Sequence, residues 1–243
     1  MKKDLGGAAL TMSAMLSIAL YHHGQNLAGS NRSLELNGLE EALTDGTNAT
    51  WNTAAPGFTS YGKQSRVDVS PALNSPAGLV AANVGGGITY RVLEHSYQSC
   101  VYGEEHPVMG LTTNEGMGYI NEQFQPQQRI DTVEPTIGYT GMKFKSATLL
   151  VSQYAPGQRG VNDEDIGNYL DATGETFWWL NPGPEGDDAY IKLWFLADPL
   201  FQFGFSGFKV AQGNNQVAGQ IFYGGNLSVI GARYMRALFG ITG

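Results

Sequence analysis

Three aromatic runs decide the fold of this chain: Glu175-Thr-Phe-Trp-Trp-Leu-Asn-Pro, Ala189-Tyr-Ile-Lys-Leu-Trp-Phe-Leu-Ala and Phe201-Gln-Phe-Gly-Phe-Ser-Gly-Phe. In the third run phenylalanine alternates with small or polar residues, which is the period of a strand with one solvated face. The second run is apolar on both faces from Tyr190 to Leu196 except at Lys192, so it predicts a strand covered on both sides.

The residues after these runs continue the pattern. Residues 217–223 repeat the two-residue period, and Gly224-Gly225 predicts a turn or bulge before a strand from Leu227 to Ile230. Residues 175–243 are therefore predicted to form a β-rich unit of short strands, and no catalytic motif lies within it.

Composition restricts the class of protein. Charged residues make up 15% of the 243 residues, below the usual ~25%, and the 33 glycines are about twice the usual share. A subunit that covers its surface with copies of itself needs few charges; a neutral-surfaced, glycine-rich monomer is the alternative. The net charge of −8 argues against a protein that grips nucleic-acid phosphates, although not against one that encloses DNA. Cys100 alone excludes an intrachain disulfide and is interpreted as a small buried hydrophobe.

The first residues predict a helix from Lys3 to Tyr21. Its apolar positions form one stripe, and small residues elsewhere on its circumference indicate that it lies across a sheet. Asp4 is atypical of a secretory leader. The apolar run is also too short and too often interrupted by Ser and Thr for a membrane span.

The middle of the chain predicts a mixed α/β lobe. Residues 45–87 are interpreted as long loops with short strands, and Gly85, Gly86 and Gly87 as a flexible joint. The predicted elements that follow are a helix over Ile88–Val101, a strand over Pro107–Thr112, a helix over Glu115–Phe124, one or two strands over Gly141–Tyr154 and an acidic loop over Ala155–Gly174.

Candidate chemical sites are mostly excluded by spacing. Gly85-Gly86-Gly87 lacks the Lys-Ser/Thr pair of a phosphate loop. His95, Cys100 and His106 match no zinc spacing and lack a fourth ligand. No Gly-x-Ser-x-Gly elbow occurs. We therefore predict no catalytic residue, no metal site and no cofactor.

Acidic and aromatic clusters are interpreted in the same way. The clusters Asp163-Glu164-Asp165 and Glu185, Asp187, Asp188 do not follow the ligand order of a calcium loop, so solvated turns are expected. Glu94, Glu104 and Glu105 offer carboxylates, but their order in the sequence does not place any pair in a cleft. Trp178, Trp179 and Trp194 could form a sugar-stacking platform. Because all three are at predicted strand positions flanked by Phe and Leu, packing in the core or at a subunit contact is the preferred interpretation.

Several stretches together resemble a known family. They are Ala8-Ala-Leu-Thr-Met-Ser-Ala-Met-Leu, Asn37-Gly-Leu-Glu-Glu-Ala-Leu, Asp165-Ile-Gly-Asn-Tyr, Glu175-Thr-Phe-Trp-Trp-Leu-Asn-Pro-Gly-Pro-Glu-Gly, Phe203-Gly-Phe-Ser-Gly-Phe-Lys and Arg233-Tyr-Met-Arg-Ala-Leu-Phe-Gly-Ile. In this order they resemble the major capsid proteins of tailed bacteriophages, which have the Hong Kong-type capsid fold. They are packing and turn signatures rather than chemical motifs.

The resemblance implies an α+β fold with a long spine helix on a β-sheet peripheral domain and a mixed α/β axial domain. Residues 1–87 would form the peripheral domain, 88–200 the axial domain, and 201–243 the strands that return to the peripheral sheet. Met12, Met15 and Leu16 are predicted to anchor the helix in the core. Family members carry an N-terminal arm and an extended hairpin before the spine helix. Neither precedes Lys3 here, so a truncated or processed coat protein, or a member without those arms, is expected.

The function that the resemblance implies is a structural one. The chain would be a non-enzymatic subunit that assembles with copies of itself, as hexamers and pentamers, into a phage head around double-stranded DNA. Portal, scaffold or decoration proteins are the further partners implied; the virion is the expected location, after synthesis in the host bacterial cytoplasm. The alternatives are a tail-tube, head-completion or decoration subunit, and a secreted carbohydrate-binding or glycan-cleaving module.

Overall fold

A computed structural model describes residues 2–22, 36–44, 58–69, 73–76, 83–124, 142–157, 174–196, 203–205, 207, 209–210 and 217–243. The fold is mixed α+β. The helices are α1 (Lys2–Ala19), α2 (Leu39–Ala42), α3 (Arg66–Val69), α4 (Tyr90–Ser99) and α5 (Asn114–Phe124), with 3-10 turns at Gly186–Asp188 and Ala232–Tyr234. The strands are β1 (Ser60–Tyr61), β2 (Gln64–Ser65), β3 (Asn83–Gly86), β4 (Met109–Thr112), β5 (Lys143–Phe144), β6 (Ala147–Val151), β7 (Glu175–Leu180), β8 (Ile191–Phe195), β9 (Phe203–Phe205), β10 (Lys209–Val210), β11 (Val217–Ala218), β12 (Ile221–Tyr223), β13 (Gly225–Val229) and β14 (Arg236–Ile241).

A six-stranded sheet with the order β3-β14-β7-β4-β6-β5 forms the centre of the subunit. Strand β7 is antiparallel to both of its neighbours, β14 and β4, whereas β14 runs parallel to β3 and β4 runs parallel to β6. Every residue of β7 is buried. A strand that has a paired strand on each side and is covered on both faces has the uniformly apolar composition of Phe177–Leu180.

The two-residue period of β7 divides its aromatic side chains between two hydrophobic clusters. Trp178 packs on one face of the sheet with Tyr21, whose ring centroid lies 5.5 Å away. Phe177 and Trp179 pack on the other face, with centroids 4.6 Å apart. The sheet is therefore the middle of three layers.

Helices α4 and α5 form the layer on the Trp179 side. Thr89 caps α4, because its side chain accepts a hydrogen bond from the Val92 amide at 3.3 Å. Leu93 and Ile120 are fully buried against the sheet. The Trp179 indole donates to the Ser96 hydroxyl at 2.9 Å, so this large side chain is both buried and hydrogen-bonded.

The opposite layer is built from short pieces. Tyr21, which follows α1, packs there with Leu39 and Ala42 of α2 and with Leu227 and Val229 of β13. The Leu39 amide donates to the Leu20 carbonyl at 2.7 Å, which joins α1 to α2. The first helix therefore enters the core through its C-terminal end.

A two-stranded ribbon extends from this layer. Strand β8 pairs antiparallel with β13, β9 with β12, and β10 with β11. The paired residues include Ile191↔Val229, Phe205↔Ile221 and Val210↔Val217. We call the described residues of this part of the chain, 190–196, 203–205, 207, 209–210 and 217–230, the arm.

Most predicted elements are present, with shifted ends. The helix expected at 3–21 runs from Lys2 to Ala19, the one expected at 88–101 from Tyr90 to Ser99, and the one expected at 115–124 from Asn114 to Phe124. The strands expected near 107–112 and within 141–154 are β4, β5 and β6. Residues 158–173, with most of the predicted acidic loop and Asp163-Glu164-Asp165, lie outside the described residues, as do 23–35 and Phe201.

One expectation differs from the structure, and another stays a prediction. Residues 201–243 were expected to return to a peripheral sheet, and this domain assignment stays a prediction; the structure places β14 between β3 and β7 of the six-stranded sheet. The β14 side chains Leu238 and Ile241 are buried beside Phe177 and Trp179, which explains why this strand joins that sheet. The strand at 190–196 was expected to be covered on both sides, yet β8 is paired on one edge only and Leu193 to Leu196 are exposed.

Candidate assembly surface

The arm carries a run of exposed apolar residues. Leu193, Trp194, Phe195 and Leu196 are between 41% and 58% exposed, and Trp194 has the highest value. We call these four residues the arm patch. Successive side chains of a strand point to opposite faces, so the arm patch is apolar on both faces of the ribbon. Three or four consecutive exposed apolar residues are unfavourable in water unless another surface covers them.

Small residues on the paired strand leave the arm patch uncovered. Gly225 lies opposite Phe195 and Asn226 lies opposite Trp194. Glycine has no side chain with which to shield the Phe195 ring, whose contact is with Tyr223 at a centroid distance of 6.0 Å. The Lys192 ammonium lies 5.8 Å from the centre of the Trp194 ring, a cation–π contact at the root of the patch.

The root of the arm is fixed to the subunit by buried contacts. The Tyr61 hydroxyl accepts a hydrogen bond from the Val229 amide at 3.0 Å and donates to the Leu227 carbonyl at 3.5 Å. Burial raises the pKa of Tyr61, so the hydroxyl keeps the proton that it donates. The Asn226 side-chain oxygen also accepts from the Asn37 amide at 2.8 Å. The arm is therefore rigidly rooted, whereas its apolar outer part is exposed.

A buried arginine holds the segments beneath this root. Arg66 is almost fully buried, and its guanidinium lies 5.5 Å from the Tyr61 ring centre. The guanidinium donates to the carbonyl oxygens of Glu41 at 2.5 Å, Ala42 at 3.4 Å and Thr44 at 3.3 Å, and also to that of Leu73. The carbonyls of Glu41, Ala42 and Thr44 lie at and after the end of α2, where backbone acceptors have no partner within the helix. Arg66 therefore joins three separate segments at the root of the arm.

Exposed apolar side chains also occur away from the arm. On α1, Leu10 is 74% and Met15 is 47% exposed. At the far side of the sheet, Leu150 and Val151 of β6 are exposed as well. The subunit thus has apolar surface on at least three separate elements.

The residues predicted to anchor α1 are only partly covered. Met12 and Leu16 are half-buried, and Met15 is largely exposed. Buried instead are Ile18 of α1 and Tyr21, which follows α1 and packs on the sheet; α1 also contacts β12 of the arm. A buried role for Met15 requires a surface from another molecule.

The two adjacent tryptophans lie in the core. Trp178 and Trp179 are completely buried within the subunit. The Trp178 indole donates to the Thr176 hydroxyl at 3.0 Å, so its polar atom is satisfied internally. Neither ring can contribute to a subunit contact or a sugar platform from this position, and Trp194 is separated from both by its place on the arm.

The predicted glycine joint is a paired strand. Gly85 and Gly86 belong to β3, which pairs in parallel with β14, and the Thr242 amide donates to the Gly86 carbonyl at 3.1 Å. Gly85 has a φ of +62°, a conformation that favours glycine. The glycine at position 85 is therefore explained by the backbone conformation of an edge strand rather than by a hinge. Gly87 is the first residue after β3.

The candidate polar residues are dispersed. Glu94 forms an ion pair with Lys145 at 2.6 Å, and Glu105 accepts a hydrogen bond from Asn181 at 3.0 Å. The His106 ring nitrogen lies 3.0 Å from the Glu104 carbonyl. Glu185, Asp187 and Asp188 are exposed on the 3-10 turn. Among the described residues, no group of three or more His, Cys, Asp or Glu could hold a metal ion.

Cys100 is fully buried at the end of α4. Burial raises the pKa of its thiol to about 11, against smaller lowering effects from Ser99, Arg236 and Arg233. A thiol that stays protonated at neutral pH is a poor nucleophile.

No helix among the described residues has both the length and the hydropathy to cross a bilayer.

The sequence did not identify the residues that root and expose the arm. The sequence around Arg66 and Tyr61 does not indicate that Arg66 donates hydrogen bonds to several carbonyls or that Tyr61 accepts one from β13. The alternation of residues 203–205 and 217–223 predicted strands, but it did not predict which strands pair.

Comparison with known proteins gives little. No protein-family model matches the sequence, and no curated protein matches it. Among solved structures, the chain is similar to the encapsulin of the holo-SrpI complex from Synechococcus elongatus, with 12% identity and a TM-score of 0.46. The similarity covers 64% of this chain and 50% of the encapsulin chain, so this chain spans about half the length of that protein.

Proposed function

We propose that this chain is the repeating subunit of a protein shell, and specifically of the icosahedral head of a tailed bacteriophage with a Hong Kong-type capsid fold. The observation that carries the proposal is the distribution of exposed apolar side chains. They lie on three elements, α1 (Leu10, Met15), the arm (Leu193–Leu196) and β6 (Leu150, Val151). A subunit with several such surfaces can contact several neighbours at once.

Geometry then determines what such a subunit builds. Heterologous contacts that close by rotation give rings, and small changes of angle between rings give curvature. Each contact can be modest, because a subunit held by several contacts dissociates only when all of them break. Rings of six and five copies are the proposed units of the shell.

The charge of the chain suits a container for DNA. With a net charge of −8 and only 14 Lys and Arg residues, the subunit has little to hold phosphates. In the proposed role it encloses double-stranded DNA without binding a sequence, uses no catalytic group, resides in the virion and is made in the host bacterial cytoplasm.

Electron microscopy of the expressed chain tests the proposal. We expect closed particles with five-fold vertices, and light scattering should show masses of many subunits. A chain that stays monomeric at high concentration across salt and pH conditions would contradict the proposal. Uniform six-fold rings or tubes would instead indicate a tail-tube protein.

The DNA content of the particles is tested separately. Particles purified from phage-producing cells should protect double-stranded DNA from added nuclease, whereas disrupted particles should not. Particles that form but never contain DNA would support a shell and contradict the phage-head assignment.

A further inference from the structure

We infer that the arm patch is a docking surface for a second copy of this chain. The inference rests on the proposed function and goes beyond it, because it assigns one contact of the assembly to Leu193, Trp194, Phe195 and Leu196.

The first step is that the four side chains of the arm patch are about half exposed within the subunit, although α1 contacts β12 farther along the arm. Beyond Lys192, β8 is exposed on both faces, and its pairing partner β13 places Gly225 and Asn226 opposite the two aromatic rings. A two-stranded ribbon is marginally stable in water without a further apolar surface. The residues nearer the root do not have this problem, because Leu227 and Val229 are buried in the core.

The second step is the size of the surface. A half-exposed aromatic or leucine side chain leaves on the order of 100 Å² in water, so the arm patch presents roughly 400 Å². Patches of about 300–600 Å² on a monomer are often functional. A specific interface removes about 800 Å² from each partner, so the arm patch supplies around half of one and the flanking ribbon can supply the remainder.

The third step identifies the occupant. Among the described residues, the cation in contact with the patch is Lys192, and that side chain also donates to the Asp187 carbonyl of its own subunit. Nucleic acid is thereby disfavoured, since it requires a basic surface. A second copy fits, because the same chain exposes further apolar side chains, Leu10 and Met15 on α1, that also require a cover. Two such surfaces on one chain are covered together when copies associate.

The test compares substitutions inside and outside the patch in the full chain. Trp194→Glu combined with Phe195→Glu should reduce the mass measured by light scattering from that of the full assembly to that of smaller oligomers, because one contact of each subunit is lost, with an unchanged far-ultraviolet circular dichroism spectrum. Val67→Glu is the matched control, because Val67 is 84% exposed on α3 and is not part of the arm patch, and this variant should assemble like the unmodified chain.

The outcomes separate this inference from the proposed function. If the unmodified chain assembles and the double variant assembles equally well, the docking inference is wrong and the shell proposal stands. If the unmodified chain is a monomer under all conditions, both are wrong. If Val67→Glu also prevents assembly, the arm has no special role and the inference is wrong.

A second measurement covers the case in which the double variant does not fold. A photo-crosslinking phenylalanine analogue at position 194 of the otherwise unmodified chain should give a covalent dimer with another copy. Crosslinks confined to a single copy would overturn the inference. Crosslinks to lipid vesicles rather than to a second copy would overturn it as well.

Discussion

Two strands of similar composition behave differently in this molecule. Strand β7, in the sheet, has two adjacent tryptophans that are completely buried, whereas Trp194 of β8, on the arm, is 58% exposed. Both strands are apolar on both faces. β7 has paired strands on both edges and a hydrophobic cluster on each face, while β8 has one pairing partner. The comparison shows that a strand with two apolar faces requires paired strands at its edges and packed side chains on both faces. Of these two strands, β7 has them within the subunit and β8 does not.

The largest expected effect separates the two tryptophan environments. Trp179→Ala should reduce the free energy of unfolding by about 3–5 kcal/mol, because it leaves a large cavity and removes the hydrogen bond to Ser96. Trp194→Ala should change subunit stability by less than about 1 kcal/mol. Urea denaturation at concentrations where the chain is monomeric measures both values. Equal losses would show that the sheet and the arm are not different environments.

A smaller effect is expected at the junction of the two regions. Arg66→Met should reduce the free energy of unfolding by about 3 kcal/mol, because several buried carbonyls lose their donor. Hydrogen exchange should show earlier loss of protection in β13 than in β7, since Arg66 lies beneath the root of the arm. Arg91→Met, at an exposed position of α4, is the control and should change neither quantity. Simultaneous loss of protection in both strands would contradict a separable junction.

Packing density inside the sheet gives the next effect. A Cβ at Gly110 would lie 2.6 Å from a Leu149 methyl and 2.8 Å from the Phe177 ring, so Gly110→Ala should destabilise the subunit by about 1–3 kcal/mol. Gly118 in α5 has no neighbouring atom within 4 Å of that position, so Gly118→Ala should stabilise by up to about 1 kcal/mol. Thermal unfolding of the two variants checks the opposite signs. Two changes of the same sign would indicate that the sheet face is not packed as described.

The smallest effect concerns the Cys100 thiol. Its pKa is raised from 9.0 to about 11, so this contribution to stability is fully present below pH 9 and is lost as the pH rises through about 11. At pH 8 the thiol should react with an alkylating reagent far more slowly in the folded chain than in urea. Val67→Cys in a Cys100→Ala background is the control and should react rapidly when folded, because Val67 is 84% exposed and is not part of the arm patch. Fast reaction of Cys100 at pH 8 would contradict its burial.

The sequence predicted helices and strands better than it predicted which of them lie next to each other. Alternation and apolar runs predicted strands near 175–180, 203–205 and 227–230, and periodicity predicted α1, α4 and α5, because both patterns depend on nearby residues. The pairing of β14 with β3 and β7 depends on contacts between distant parts of the chain, which no local pattern contains. For the same reason the sequence could not distinguish the covered β7 from the exposed β8. Met15, which was predicted to anchor α1 in the core, is 47% exposed.

The order of strands in the sheet also has a kinetic consequence. Residues 83–86 pair with residues 236–241, and residues 109–112 pair with residues 175–180, so most neighbours meet across long stretches of chain. Chains dominated by such distant pairings fold slowly. Before the sheet is complete, β8 can already pair with β13, which leaves Trp194 exposed to other partly folded chains. Refolding at low concentration should therefore give a higher yield of native subunits than refolding at high concentration.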